Sequence, residues 1–208
     1  NKASNIYATM QALKLLKAPR SVESVESVSE APANAVETSK IDKKAKKGIF
    51  LSMQYLPEIA GVSMAQFLYR ASKEINGGEE SILEFHKNLS EKAKNLGIDK
   101  SIISKQLNSQ ISGGEKKQSE ALQMASLRPK FAFLDEIDSG VDIDSLDKIF
   151  KAVEVLKKEG TGFLLITHYP NILKKITPDF VHIMKDGKII KSGGIELADE
   201  VAEKGFNE

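Results

Sequence analysis

Phe131-Ala132-Phe133-Leu134-Asp135-Glu136 decides the fold: four consecutive apolar residues closed by two carboxylates. A short, continuously apolar run marks a strand covered on both faces, the arrangement of a parallel sheet. Upstream of it the spacing predicts a helix over about 114–126. Downstream a second helix over about 145–158 leads to another apolar strand at 162–167. This alternation predicts an α/β fold, a parallel sheet flanked by helices. Working outward, Gly48–Met53 is a third short strand. Met64, Phe67, Leu68, Ala71 and Ile75 then recur at helical spacing until Asn76-Gly77-Gly78. Ser81 and Glu84 form a capping box ahead of a stripe of Ile82, Phe85, Leu89, Ala93 and Leu96, stopped by Gly97. A helical insert is therefore expected at about 64–110. Near the end, Lys185-Asp186-Gly187 joins strands 180–184 and 188–191 as a hairpin, and a last helix is expected at about 195–204.

The 208 residues are 41% hydrophobic and 28% charged, enough for a core in a charged shell. Thirty basic residues offset 29 acidic ones, a net charge of +1 that argues against nucleic acid or a membrane surface held by bulk charge. No apolar run approaches the roughly 18 residues of a membrane span. The absence of cysteine removes disulfides, thiolate metal sites and thiol nucleophiles, and fits a reducing, cytoplasmic setting. Three histidines without an H-x-x-x-H spacing argue against zinc.

Residues 1–47 differ from the globular part, 48–208. Asn1 to Val22 are basic and acid-free, a Ser/Val/Glu near-repeat follows at 21–30, and a Lys-rich stretch runs to Lys47. Large apolar residues are too few there to offset ordering entropy, so the segment is expected to be mobile. An organelle transit peptide, implying stroma or matrix, is the second reading. The non-Met start, Asn1, suggests a processed product or a fragment.

Ligands of open α/β sheets gather at the carboxyl ends of strands. One such end carries Asp135-Glu136. A single carboxylate there suits Mg²⁺, and a second can polarise water; two adjacent carboxylates without a cation raise a pKa. Another strand ends in Thr167-His168, although a lone His is more often a satisfied loop residue. Ser112-Gly113-Gly114-Glu115 opens a helix whose glycines and free amides can approach a phosphate; taken alone, it is a common cap. His182 alternates within a strand and reads as structural, while His86 is either solvent-facing or at a contact.

In order, Gln54, Ser112-Gly113-Gly114-Glu115-Lys116-Lys117, Phe131 to Glu136, Asp138-Ser139-Gly140-Val141-Asp142 and Ile166-Thr167-His168 resemble the Q-loop, signature, Walker B strand, D-loop and switch His of ATP-binding-cassette ATPases. Gly48–Tyr55, Glu58–Ser63, Leu134–Gly140, Thr167-His168-Tyr169 and Lys191-Ser192-Gly193 are closer still to the SufC type, the cassette ATPase of iron–sulfur cluster assembly. The resemblance spans about 44–206. It implies ATP and Mg²⁺ as ligands, with Asp135 and Gln54 on the metal, Glu136 orienting the attacking water and His168 on the γ-phosphate. It also implies a head-to-tail dimer with a second cassette subunit on ATP binding. Ser112, Gly113, Gly114 and Glu115 would then touch the partner's nucleotide, and Asp142 would lie at the interface. The scaffold implied is SufB/SufD-like, contacted around Gln54 and the helical insert.

The sequence departs from that family in one large respect. No G-x-x-x-x-G-K-[ST] occurs in the 208 residues, and the one Gly-Lys pair, Gly187-Lys188, lies in the hairpin. The N-terminal part of the family fold is thus missing or replaced by residues 1–47, which is expected to leave strand edges and apolar faces exposed. Gln118 and Ile111 stand where the family shows Arg and a Phe or Leu, and Leu56-Pro57 follow Tyr55. Several readings stay open: an inactive fragment, a half-site subunit, and an ATPase whose phosphate loop comes from elsewhere. A nucleotide-independent scaffold-docking module and a transporter-type cassette fragment complete the set.

Overall fold

The computed structural model describes residues 43–52, 59–77, 80–107, 109 and 111–204. Gln54 and nearly all of the divergent segment 1–47 lie outside the described residues; of that segment, 43–46 form one helical turn before the first strand. The chain divides into two compact units, one of Ala35–Tyr169 and one that includes Pro170–Glu208.

The larger unit is built on a three-stranded parallel sheet of β1 (Ile49–Ser52), β4 (Phe131–Asp135) and β5 (Gly162–Ile166), in the order β1-β4-β5. The helix α5 (Ile143–Lys158) makes the crossover from β4 to β5 that a parallel pair requires. The register pairs Phe50 with Ala132 and Ala132 with Phe163, and likewise Ser52, Leu134 and Leu165. Those six side chains share one face, on which Ser52, Ala132 and Leu134 are fully buried. Buried Leu122, Met124, Ile149, Val153 and Leu156 extend this core from α4 (Gly113–Leu127) and α5, which pack on each other.

The opposite face departs from the expectation of a sheet covered on both sides. It carries Ile49, Leu51, Phe131, Phe133, Leu164 and Ile166. Ile49 and Leu51 are 40% and 50% exposed, and the other four are only half-buried. The Phe131 and Phe133 rings meet at a tilt of 58° with centroids 4.9 Å apart. Gly162 opens β5 on this face, where a Cβ would stand 2.8 Å from the Phe131 ring. An exposed apolar face is therefore present on this sheet among the described residues, in line with the expectation.

Within the stretch 64–110 the expected helices are present at Met64–Asn76 and Ile82–Leu96, with one addition. The helix α1 (Met64–Asn76) starts on a Ser63–Gln66 capping box and ends at Gly77 in a left-handed conformation. The helix α2 (Ile82–Leu96) uses the Ser81–Glu84 box and Gly97 likewise. Phe85, Leu89, Ala93 and Leu96 are buried, whereas Ile82, expected on the same stripe, is 52% exposed because it sits in the first turn, outside the packed part of the helix. The addition is an irregular antiparallel pair, β2 (Ile59–Ser63) with β3 (Gln106–Leu107), which closes the insert at its base after the short α3 (Ser101–Ser104). Sequence periodicity cannot reveal a two-residue strand.

The smaller unit has its own core. A 3-10 turn at Pro170–Ile172 and α6 (Leu173–Ile176) precede the hairpin of β6 (Val181–Lys185) and β7 (Lys188–Gly193), then α7 (Ile195–Lys204). Asp186 and Gly187 both take positive φ, 49° and 73°, the pair of values a two-residue hairpin turn demands. Val181, Leu197 and Ala198 form the centre, packed by Leu173, Ile183 and Ile195. His182 is structural, as expected: its Nδ1 is 2.8 Å from the Ser192 hydroxyl on the paired strand. His86 faces solvent on α2.

The seam between α4 and α5 is unusually close. Asp142 caps α5, its Oδ1 accepting from the Ser145 N–H and its Oδ2 from the Ser145 hydroxyl, both at 2.8 Å. Gln118 of α4 donates to that hydroxyl at 3.1 Å, which gives the departure from Arg a function in packing. A Cβ on Gly114 would stand 2.6 Å from the Asp142 Oδ2 and 2.9 Å from the Ser145 Oγ, whereas one on Gly113 would meet nothing. Gly114→Ala should therefore cost about 1–3 kcal/mol in urea unfolding, the range for overpacking. Gly113→Ala should fall within about 0.5 kcal/mol of the parent; equal costs would show that the seam is not the constraint. The same cap predicts a pH dependence. Ser145's two donors hold the Asp142 carboxyl below its usual range. Its stabilising effect is thus complete above the unfolded value, about 3.9, and is lost as pH falls through the lower folded value. Asp142→Asn should lower stability at pH 7 and flatten its fall in acid, a change read from urea midpoints between pH 7 and 2.

Candidate functional site

The strands β4 and β5 run in parallel, so their carboxyl ends deliver Asp135-Glu136 and Thr167-His168 to the same edge of the sheet. Three bonds tie the two loops together there. Glu136 donates its backbone N–H to the Ile166 carbonyl at 3.0 Å. Thr167 donates its hydroxyl to Asp138 Oδ2 at 2.7 Å and accepts from the Tyr169 N–H at 2.9 Å. His168 Nε2 lies 2.8 Å from Glu136 Oε1. A carboxylate accepts and an imidazole N–H donates, so the contact suits the tautomer with its proton on Nε2.

Glu136 is held in a conformation that a side-chain-bearing residue avoids, with φ 45°. Its N–H bond to Ile166, the Ser139 N–H bond to its own carbonyl at 3.1 Å, and fully buried Ile137 behind it keep the backbone there. Such strain costs on the order of 1–3 kcal/mol and persists only where the surroundings enforce it. It turns the carboxylate out of the strand line toward His168. The imidazole is 73% exposed and the carboxylate 27%, so the pair opens to solvent through the histidine.

Asp135 is half-buried on the bare face of the sheet. Burial pushes its carboxyl above the usual range and the Glu136 charge adds to this, while the Lys117 and His168 charges pull the other way. Lys117 is a contributor that sequence reasoning did not assign. It is buried on α4 and paired with buried Glu120 at 3.1 Å. Its signal was available as the second Lys after Glu115, but nothing in a linear sequence says that a helical lysine's charge is felt at a strand-end carboxylate.

The residues expected to read a phosphate form a second cluster. Ser112 caps α4 by accepting from the Glu115 N–H at 3.2 Å, and Glu115 returns by accepting from the Ser112 N–H at 2.9 Å. Lys105 also pairs with the Glu115 carboxylate, and this bond, followed by the Ser112 amide, lowers its pKa. Ser112 and Gly113 are exposed. The close approach that Gly114 permits in this structure is to the Asp142 cap. Asp142, expected at a subunit interface, is exposed and has both carboxylate oxygens engaged in capping α5.

One half-buried carboxylate beside a second, at a strand end, suits a hard dication that needs only one or two protein oxygens. No cluster of three or more His, Asp or Glu that would bind a metal unaided is found among the described residues. The donor set fits Mg²⁺ brought with a phosphate ligand better than a dedicated metal cage. No described helix is long and apolar enough to cross a membrane.

Comparison with known proteins converges on this architecture. No protein-family model matches the chain. "Vegetative protein 296" of Bacillus subtilis is 43% identical over 169 residues, 80% of this chain and 65% of that protein. A probable ABC transporter ATP-binding protein of Streptococcus pyogenes is 43% identical over 168 residues, covering 80% and 66%. The probable ATP-dependent transporter ycf16 of Pyropia yezoensis is 44% identical over 170 residues, covering 80% and 68%. The chain thus spans about two thirds of the length of these relatives. In three dimensions it resembles a dimeric bacterial ABC transporter cassette with a TM-score of 0.64 at 17% identity, over 76% of this chain and 67% of that one. The cbiO1 protein of Clostridium perfringens, part of an ABC transporter complex, aligns with a TM-score of 0.56 at 25% identity, over 78% and 62%. Taken with the strand-end carboxylates and the capped Ser-Gly-Gly-Glu helix, these likenesses establish that the chain belongs to the ATP-binding-cassette ATPase family.

Proposed function

We propose that the chain is the signature and Walker B portion of a SufC-type ATPase subunit serving iron–sulfur cluster assembly in a reducing compartment, cytoplasm or organelle stroma. The observation that carries the hydrolytic part is the Glu136–His168 contact of 2.8 Å beside Asp135. Phosphoryl transfer to water asks for positioned groups and charge neutralisation rather than a covalent intermediate. In this reading the Glu136 carboxylate, held by a strained backbone, orients the attacking water. His168 donates toward the γ-phosphate once nucleotide draws it from Glu136. Asp135, with Gln54, holds the metal, and Mg²⁺ when bound neutralises charge on the phosphates. Ser112, Gly113, Gly114 and Glu115 form the half of the site offered to nucleotide on a second cassette subunit, and Asp142 lies at that contact.

The 208 residues contain no G-x-x-x-x-G-K-[ST], the motif whose Lys and amide nest hold the β- and γ-phosphates. The purified chain should therefore give no saturable heat with MgATP at tens of micromolar protein and no turnover, and Glu136→Gln should change neither. Micromolar binding would overturn this reading and point to a cradle within residues 1–47.

A second function, docking to a SufB/SufD-like scaffold without nucleotide, is favoured by the exposed apolar start of α2, where Ile82 is 52% and Leu83 80% exposed. Leu83→Asp should weaken scaffold affinity at least tenfold in nucleotide-free buffer, with the unfolding midpoint unchanged. Preferential binding to a transmembrane subunit would instead favour the transporter role that the Streptococcus relative's name carries.

A further inference from the structure

Positions 85, 89, 92 and 96 of α2 recur at helical spacing and form the stripe that packs inward. Phe85, Leu89 and Leu96 are apolar and buried there, but the fourth member is Lys92, which is half-buried. Among the described residues its ammonium makes no hydrogen bond and no ion pair. Burial holds it below the usual lysine range and the Arg128 charge adds to this, while Glu80 and Glu159 pull the other way. A charge drawn partly out of water without a contact partner is unfavourable. The position therefore asks for an anion that the chain does not bring into contact.

Lys92 lines a cleft of about 380 Å³ between the last turn of α1, α2 and the end of α4. That volume lies at the lower end of the range for small-molecule sites, about 300–1,000 Å³. Two other charged groups of the cleft are held in place. Arg128 ends α4 at a positive φ of 48° and donates to both Glu159 oxygens, at 3.0 and 2.7 Å, so its charge is already neutralised. Glu80 accepts from the Asn88 carboxamide through its carboxylate and from the Tyr69 hydroxyl through its carbonyl. It acts on Lys92 through space without touching it. Ser126, only 4% exposed, also lines the cleft, and its hydroxyl has no partner.

We infer that this cleft binds a free α-amino acid, with the ligand carboxylate on Lys92 and its ammonium on Glu80. A fixed cation and a fixed anion that open to one cleft, in each other's field yet out of contact, match a compact ligand carrying both charges. A plain anion would satisfy Lys92 but would face the Glu80 and Glu91 carboxylates. A plain cation would face Lys92 and Arg128. The Asn95 carboxamide and the Ser126 hydroxyl remain to bond the ligand's other polar atoms. Asp135, Glu136 and His168 do not line the cleft, so the inference stands or falls independently of the ATPase reading.

The test is calorimetric titration of the full chain with L-alanine, L-serine, L-leucine and L-glutamate in turn. Acetate, methylamine and inorganic phosphate serve as single-charge probes. At least one amino acid should bind one-to-one with a Kd of about 1 mM or tighter. Each single-charge probe should bind at least tenfold more weakly. Lys92→Met removes the ammonium and keeps an apolar stem, and Glu80→Gln removes the opposite charge and keeps an acceptor for Asn88. Each should weaken binding at least tenfold, and the Gln variant, at an exposed position, guards against misfolding of the Met variant. The inference is overturned if none of the four amino acids saturates, or if either substitution leaves binding unchanged. It also fails if acetate or phosphate binds as tightly as the best amino acid, which would make the cleft a plain anion site.

Discussion

The parallel pairing of β4 with β5 is the constraint on which the rest of the larger unit depends. Parallel strands leave their carboxyl ends on the same edge, so the residues that follow each strand become neighbours although they are 32 positions apart. The ladder does not stop at the last strand residue. Its final bond, from the Glu136 N–H to the Ile166 carbonyl, forces Glu136 into positive φ and aims its side chain at His168. Thr167 with Asp138 makes a second tie over the same gap. The strained residue is thus stabilised by the sheet, and the sheet's edge chemistry is a consequence of its hydrogen-bond register.

A second constraint is the distance between α4 and α5. Gly114 serves two purposes in a residue type that admits only one side-chain solution, none at all. It sits in the first turn of α4 beside the Ser112–Glu115 cap, and it lets the Asp142 cap of the neighbouring helix come within a distance that any Cβ would block. Asp142, Ser145 and Gln118 then form one bonded unit linking the signature helix to the crossover helix. Lys117 extends that link toward the strand end through its effect on Asp135.

The bare face sets the scale of what the fold lacks. Burying an Ile or Leu contributes about 1.5–3 kcal/mol, and a whole domain is stable by only about 5–15 kcal/mol. Ile49 and Leu51 half-covered, with Phe131, Phe133, Leu164 and Ile166 partly so, forgo a substantial part of that margin. The covered face, with Ser52, Ala132 and Leu134 buried over the α4–α5 core, and the separately packed insert supply what order remains.

The sequence by itself determined the elements. Caps at Ser81, Ser112 and Gly97, the Asp186-Gly187 turn, and the apolar runs at 131–134 and 162–166 are local signals, set by backbone propensity and short-range hydrogen bonds. The order of Ser112–Glu115, Asp135-Glu136 and Thr167-His168 was likewise enough to reach the family. Only the tertiary structure decided which of these residues meet. The sequence could not say that Gly114 abuts Asp142, that Lys117 acts on Asp135, or that Ile59–Ser63 pairs with two residues at 106–107. Those contacts join positions 18 to 48 apart in the chain, and their geometry comes from packing that no local pattern encodes. Nor could apolar alternation distinguish a covered face from a bare one. The residues on both are the same kinds, and the difference lies in what is packed against them.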